Sequence, residues 1–323
     1  MGNPVTDQDR ENKRGTPMSD KAYFAYTKNE QGICIQRCYA AESRIEIPAE
    51  IEWLPVVEIA SYAFAQTMES EPENTGDFPC ICGELAGEIF LPPTIKRVGR
   101  YVFYNCWNLK KLGFSTNISY IGAGVFTGCK SLKELIVSEA DAEKSCLREV
   151  LVDLNRTVIV DYRGKSHNRI LYPAFFEEAV ENTPARIIET HTHGVGIQYR
   201  NAFKGTQIDW KEYDRIFTFG KYNMEQWEAI ATAAYRLMAG NVTQAEAEKD
   251  YTDFLRVHLK EAGKIFADRG EREVLSWLAE AFVADSKEMD ALLDGADKNA
   301  EMTSLLINIS HKRFKPKAKG FTL

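Results

Sequence analysis

The chain has 323 residues, of which 44% are hydrophobic and 27% charged, and its formal net charge is −7. This composition is typical of a globular protein with room for two domains. The acidic balance argues against nucleic acid and anionic membranes as partners of the whole molecule. No apolar run approaches the roughly 20 residues that span a bilayer.

The first twenty residues, MGNPVTDQDRENKRGTPMSD, are polar and lack the apolar core of a secretory signal. We predict a disordered leader over residues 1–20 and a cytoplasmic protein. Seven cysteines, an odd number, favour reduced thiols over a disulfide framework. Their spacing is not that of a zinc knuckle, so no cofactor is predicted.

A repeat begins at Ile95. IKRVGRYVFYNCWNLKKLGF aligns with ISYIGAGVFTGCKSLKELIV, which begins at Ile118, and eight of the twenty positions are identical at an offset of 23 residues. Such a period predicts the coil of a solenoid, which buries its apolar side chains only against neighbouring coils. Phe103 and Phe126 should then stack in one column.

A third, degenerate copy lies upstream. Val56, Ile59 and Phe64 occupy the positions of Ile95, Val98 and Phe103, and the acidic insertion TMESEPENTGDFPCICGE separates this copy from the next. We predict that this insertion is a surface loop. The repeated Gly99 and Gly122 should supply backbone freedom at a tight corner, and the repeated Cys106 and Cys129 should be buried.

These residues carry a family resemblance. The pattern is an Ile-Pro or Leu-Pro pair, then V-x-x-I-G-x-x-A-F-x-x-C-x-x-L-x-x-L, here in Ile47-Pro48, Leu91-Pro92, Val98-Gly99, Val102-Phe103, Cys106, Leu109 and Leu112. It resembles the BspA-like leucine-rich repeat family, with about three full turns between residues 23 and 137. The resemblance implies a protein-binding or adhesive solenoid without catalytic residues.

The solenoid domain is predicted to span residues 21–165. LREVLVDLNRTVIVDYRG, from Leu147, is expected to form a strand pair that caps it. Residues 166–311 are predicted to form an all-helical domain, followed by a basic tail over 312–323. AFFEEAVEN, MEQWEAIATAAYRLMAG, AEAEKDYTDFLRVHLKEAGKIFA, EREVLSWLAEAF and KEMDALLDGA all have helical spacing.

The predicted fold class is therefore α+β, with a short solenoid before an all-α domain. Ala267-Asp268 recurs at Ala296-Asp297, an offset of 29 residues near that of ankyrin-like helix pairs, although the ankyrin signature is absent. Thr243 and Asp285 or Ser286 are expected to cap helices, and Gly240 and Gly270 to end them. The helical part also resembles bacterial proteins of unknown function.

The segment ETHTHGVGIQYR offers the one candidate for chemistry. In a strand, Glu189, His191 and His193 share a face and could bind a metal, and Arg200 could receive an anion. The competing interpretation is a glycine-containing linker between helices, whose histidines hydrogen-bond to the backbone.

A second candidate site follows from charge. Residues 95–137 contain seven basic residues and one acid, and aromatic residues stand where the two copies differ. Tyrosine, tryptophan and arginine dominate interface hot spots. The predicted binding residues are Arg97, Arg100, Tyr101, Tyr104, Trp107, Lys110, Lys111 and Tyr120. The competing interpretation is a solubilising basic stripe that packs against the acidic helical domain of the same chain.

The sequence thus favours an intracellular protein–protein interaction scaffold that is not an enzyme and binds an acidic protein partner through the solenoid. The alternative is a metal-binding or catalytic regulator centred on His191 and His193. Because the tail is basic and could bind nucleic acid, nucleic acid is a second, less favoured class of partner.

Overall fold

The computed structural model describes residues 17–19, 22–67, 78–138, 145–164, 167–182 and 187–314. The chain divides into two units, Met1–Asn168 with Tyr172–Asp209, and Arg169–Leu171 with Trp210–Leu323. Most of the predicted leader, the middle of the acidic insertion and the tail beyond residue 314 lie outside the described residues. Within those two end segments, Pro17–Ser19 form a strand, and Lys312 and Arg313 close the last helix.

Two β-sheets form the framework of the first unit. Sheet I has the order β1 (Pro17–Ser19), β2 (Ala22–Asn29), β3 (Gly32–Ala40), β6 (Leu54–Ile59), β8 (Arg97–Val98), β10 (Tyr120–Ile121), and β5 (Glu50–Ile51) pairs with β6. Sheet II has the order β13 (His167–Tyr172), β12 (Val158–Arg163), β11 (Glu134–Ser138), β9 (Lys111–Ser115), β7 (Glu88–Phe90), β4 (Arg44–Glu46). The chain alternates between the sheets, which makes each circuit one coil of a solenoid.

The strand register confirms the repeat. Arg97 pairs with Tyr120 in sheet I, and Lys111 pairs with Glu134 in sheet II, both in parallel strands and both at an offset of 23 residues. The upstream copy is also confirmed, because Ile59 pairs with Val98. Sheet II continues in parallel from β4 through β12, so about five coils are present rather than three. The outer coils keep their strands but lose the motif residues.

The core lies between the sheets and is built from columns of equivalent side chains. The rings of Phe64 and Phe103 are 5.4 Å apart, and those of Phe103 and Phe126 are 5.9 Å apart. All three rings are buried. Ring stacking along the solenoid therefore joins three successive coils.

Gly99 and Gly122 are needed for a different reason from the one predicted. Neither has a left-handed backbone. A Cβ atom on Gly99 would lie 2.8 Å from the carbonyl carbon of Ala60, and one on Gly122 would overlap the backbone of Arg100. Glycine is required because neighbouring coils approach too closely for a side chain.

Two element predictions in the second half of this unit are wrong. Leu147–Asp153 form a helix, α1, where a strand was expected, and only the following segment forms a strand. Phe176–Asn182 form strand β14 rather than a helix, and it pairs antiparallel with β15, Ile187–His193. Leu147, Val150 and Leu151 are buried at the three- and four-residue spacing of a helix, which explains α1. Phe176–Asn182 fit helical and strand spacing alike, and their pairing with β15 decides the outcome. The unit is completed by α2 (Gly196–Asn201), β16 (Phe203–Lys204) and β17 (Gln207–Ile208).

The second unit is helical. In the described residues it contains α3 (Trp210–Gly220), α4 (Gln226–Ala239), α5 (Ala245–Val257), α6 (Leu259–Asp268), α7 (Arg272–Trp277), a π-helical turn (Leu278–Phe282), α8 (Ser286–Ala296) and α9 (Ala300–Arg313). Asp285 caps α8 as predicted, and its carboxylate accepts a hydrogen bond from the Glu288 amide at 2.9 Å. The residue before α5 is Gln244 rather than Thr243, and α3 was not predicted.

A buried ion pair links two of these helices. The guanidinium of Arg236 on α4 donates to Asp214 on α3 at 2.7 and 3.0 Å, and the Tyr251 hydroxyl donates to the same carboxylate at 3.0 Å. Both charges are buried, and such charges are stable in the interior only when paired and hydrogen-bonded.

Helices α6 and α8 meet through two glycines. A Cβ atom on Gly295 would lie 2.8 Å from the amide nitrogen of Lys264 and would overlap the carbonyl oxygen of Lys260, and Gly263 lies equally close to the backbone of Leu292. The two backbones therefore pack directly against each other.

We expect Phe103→Ala to lower the free energy of unfolding by about 3 to 5 kcal/mol, because it removes the central ring of the stacked column. Trp53→Ala is the control, since this indole is 94% exposed and its loss should change stability by no more than about 0.5 kcal/mol. Urea unfolding followed by circular dichroism measures both. Equal midpoints for the two variants would contradict the stacking account.

We expect Gly295→Ala to destabilise the helical unit by about 1 to 3 kcal/mol through overlap with α6, despite alanine's better helix propensity. Gly240→Asn is the control, because Gly240 ends α4 in the left-handed region (φ 64°) with open space around it. Asparagine tolerates that conformation. Thermal unfolding of both variants tests this, and an unchanged melting temperature for Gly295→Ala would refute the close contact.

Candidate protein-binding surface

The first part of the predicted site lies on the outer face of sheet I. Glu58, Arg97 and Tyr120 are direct neighbours on β6, β8 and β10. The Arg97 guanidinium lies 4.4 Å from the centre of the Tyr120 ring, and its Nε lies 3.6 Å from the Glu58 carboxylate. Arg97 is therefore held by a ring on one side and an acid on the other.

The second part lies on the turn that follows sheet I in each coil. Tyr101 stacks on Tyr62 with ring centres 5.4 Å apart, and Tyr104 meets Tyr101 edge-on at 5.7 Å. Arg100 lies 5.9 Å from the Tyr62 ring. Tyr62, Tyr101 and Gly124 occupy equivalent positions and share a left-handed backbone (φ 64°, 53° and 63°). The turn thus has the same left-handed conformation with tyrosine as with glycine, and the rings of Tyr62 and Tyr101 stack on each other there.

The third part lies at the corner between this turn and sheet II. The Trp107 side chain is 48% exposed there. The amides of Lys133 and Glu134 donate to the Lys110 carbonyl at 3.1 and 3.2 Å, which fixes the register of the two coils. Lys130 therefore stands beside Trp107, and Lys133 beside Lys110.

This corner, formed by Trp107, Lys110, Lys130 and Lys133, is named the tryptophan–lysine corner. All four side chains are exposed. Within the described part of the chain, none of the three ammonium groups has a carboxylate within ion-pair distance. Among the described residues, the corner therefore combines one large aromatic ring with three lysines that have no acidic partner.

A groove of about 630 Å³ opens beside Lys130, at the end of the repeats. Its walls include Val152, Arg156 and Phe175, and Asp153 and Glu177 contribute two acids. The Asp153 carboxylate accepts from the Phe126 amide at 3.3 Å, which attaches α1 to the last motif-bearing coil. The groove extends the corner with apolar surface, and its arginine is accompanied by two acids.

Lys111 belongs to a different arrangement. Arg44, Glu88, Lys111 and Glu134 are neighbours across sheet II, and their charges alternate. The Lys111 ammonium lies 3.0 Å from Glu134 and 4.0 Å from Glu88. Its charge is balanced within the sheet, so it contributes little to attraction of a partner.

The eight predicted residues therefore occupy different sides of the coil rather than one patch. Lys130 and Lys133 join Trp107 and Lys110, although the sequence interpretation left them out. The sequence feature that identifies these two lysines is the 23-residue offset of the repeat, which places Lys130 at the position of Trp107 and Lys133 at the position of Lys110.

The alternative metal site lies on the β14–β15 hairpin. The His191 ring is 3.5 Å from Glu189, whereas the His193 ring is 3.2 Å from Glu178 on the other strand and stacks on Phe176. In the ranges that the structure describes, no three His, Cys, Asp or Glu side chains converge as a metal site would require.

Arg200 is not an anion receptor. Its guanidinium is fully buried and donates to five backbone carbonyls, those of Leu151, Leu154, Arg156, Pro173 and Gly196. The side chain instead satisfies carbonyls at the end of α1 and in the loops around it.

The thiols are structural. Cys106 donates to the Phe64 carbonyl and Cys129 to the Phe103 carbonyl, both at 3.1 Å. Burial raises the pKa of Cys106 to about 12 and raises the pKa of Cys129 further. Thiols with such pKa values are poor nucleophiles at neutral pH.

The comparisons with known proteins agree with the repeat geometry. Residues 82–150 match the family model described as BspA type Leucine rich repeat region (6 copies). This segment is a BspA-type leucine-rich repeat region. It includes the tryptophan–lysine corner, so the corner is built on repeats of this type.

Two solved structures were also found. A leucine rich cell surface protein from Faecalibacterium prausnitzii A2-165 is 18% identical with a TM-score of 0.27, and the match covers 46% of this chain and 32% of that one. The leucine rich repeat protein of T. pallidum is 16% identical with a TM-score of 0.23, covering 47% and 84%. This chain thus matches about a third of the length of the first protein. No curated protein matched.

We expect only Cys80 and Cys82 of the seven cysteines to react promptly with Ellman's reagent at pH 8, because both are half-buried and the other five are buried. Burial raises the pKa values of the five buried thiols, to about 12 for Cys34 and Cys146, so almost no thiolate is present in these five at pH 8. All seven should react in urea. Prompt reaction of five or more thiols in the folded protein would contradict the buried columns.

Proposed function

We propose that this chain is an intracellular interaction scaffold that binds an acidic protein partner at the tryptophan–lysine corner of its leucine-rich repeats. The observation that carries the proposal is the half-exposed Trp107 beside three lysines without acidic partners in the described residues. Buried aromatic anchors supply affinity at interfaces, and complementary charge supplies rate and specificity.

The repeats support a binding role rather than catalysis. Leucine-rich repeat proteins generally act in protein–protein interaction or surface binding, and the buried, raised-pKa thiols offer no nucleophile. The groove beside Lys130 would accept an apolar side chain of the partner that lies next to the partner's own acidic residues. Arg97, Arg100, Tyr101, Tyr104 and Tyr120 form a second surface of the same coils that can extend the contact.

An intracellular location is part of this proposal. Seven free cysteines, an odd number, support a reducing compartment. Among the described residues, no helix has both the length and the apolar character needed to cross a membrane.

The test is capture from the native cell with the folded full chain as bait. We expect the triple variant Trp107→Ala, Lys110→Glu, Lys133→Glu to capture at least 10-fold less of the specific partner than wild type does. The variant removes the aromatic anchor and reverses two charges. The charge-matched control is Lys96→Glu with Arg100→Glu, which makes the same two charge reversals on the second surface. Because that surface only extends the contact, the control should lose less of the partner than the triple variant.

Equal capture by wild type and the triple variant would refute the corner as the binding site. Loss in the control but not in the triple variant would place the contact on the tyrosine and arginine side instead. Binding of the captured protein should weaken as salt rises, since charge contributes to the encounter.

A further inference from the structure

The hairpin of β14 and β15 is a two-stranded sheet exposed on both faces. In the described residues each strand pairs only with the other. Phe176 is 57% exposed and Ile188 71% exposed, on opposite faces. A two-stranded hairpin is marginally stable in water, and its free edges can pair with another strand.

The sequence of β15, IIETHTH, is complementary to itself. In an antiparallel pair of two copies centred on Thr190, all seven residues find partners, and Thr190 faces Thr190 of the other copy. Glu189 then lies opposite His191 on both sides of the axis, and Ile188 lies opposite Thr192. The imidazole of His191 can donate a hydrogen bond to the Glu189 carboxylate of the other copy, and cross-strand pairs of β-branched residues stabilise a sheet.

Other two-fold registers of the hairpin edges are poorer. Centring the β15 pair on Glu189 would place two glutamates opposite each other, and centring it on His191 would place two histidines opposite each other. Either register would also leave fewer residues paired. The β14 edge, FEEAVEN, is acidic, and a pair centred on Ala179 would place Glu177 opposite Glu181 twice. Like charges directly opposite destabilise a sheet.

We propose that a second copy of this chain binds along the edge of β15, so that two hairpins form one four-stranded antiparallel sheet centred on Thr190. The contact is short, seven residues from each copy, and is therefore a small interface that forms reversibly with concentration. This dimer is separate from the tryptophan–lysine corner.

Cysteine cross-linking tests the register. Thr190→Cys places two thiols opposite each other at the axis, within the 4.4–6.8 Å Cα separation that disulfides require. Ala179→Cys is the matched control, because Ala179 is the direct neighbour of Thr190 on β14. Its copies would be three strand spacings apart, about 14 Å.

Under mild oxidation we expect Thr190→Cys to give a covalent dimer on a non-reducing gel, at a yield at least 10-fold above Ala179→Cys and wild type. Equal yields in the three proteins would overturn the proposal. The wild-type lane accounts for the seven native thiols.

Sedimentation equilibrium supplies the second test without an introduced cysteine. Glu189→Lys should weaken dimerisation at least 10-fold, because lysine removes the carboxylate that accepts a hydrogen bond from His191 of the other copy. Glu181→Lys is the charge-matched control on the outer strand and should dimerise like wild type. A wild type that stays monomeric at 100 µM, or a dimer unaffected by Glu189→Lys, would overturn the proposal.

Discussion

The first unit depends on the backbone register between neighbouring coils. Amides of one coil donate to carbonyls of the next, as from Phe103 to Val125 at 3.1 Å and from Gly122 to Val98 at 2.8 Å. This register brings residues 23 apart into contact, and it makes each coil stable only beside another. Phenylalanine columns, buried thiols and glycines without room for a Cβ atom all follow from it.

The same constraint organises the surface. Recurring apolar residues such as Phe103 and Phe126 fit the buried columns, whereas exposed positions, whether they recur or differ between copies, can be chosen for binding. Trp107 and Lys130 occupy equivalent positions of adjacent coils, so two unlike side chains become neighbours without any contact in sequence. Lys111 shows the limit of this freedom, because its neighbours in sheet II are acids that balance it.

Much of the solenoid could be predicted from sequence because its contacts repeat at one offset. Ile59, Phe64 and Cys106 occupy the expected positions for that reason. Phe176–Asn182 could not be predicted, since a short segment with three glutamates fits helix and strand alike until its partner strand is known. A charge count along the chain does not say which side of a coil each residue faces, so the eight residues that were predicted together lie on different sides of the coil.

Hydrogen–deuterium exchange of the full chain tests the register most directly. Amides that donate between coils, such as those of Phe103, Asn105, Gly122 and Lys133, should exchange slowly and as one cooperative group. Exposed amides of the same turns should exchange within seconds. Fast, independent exchange of the inter-coil amides under native conditions would contradict the account.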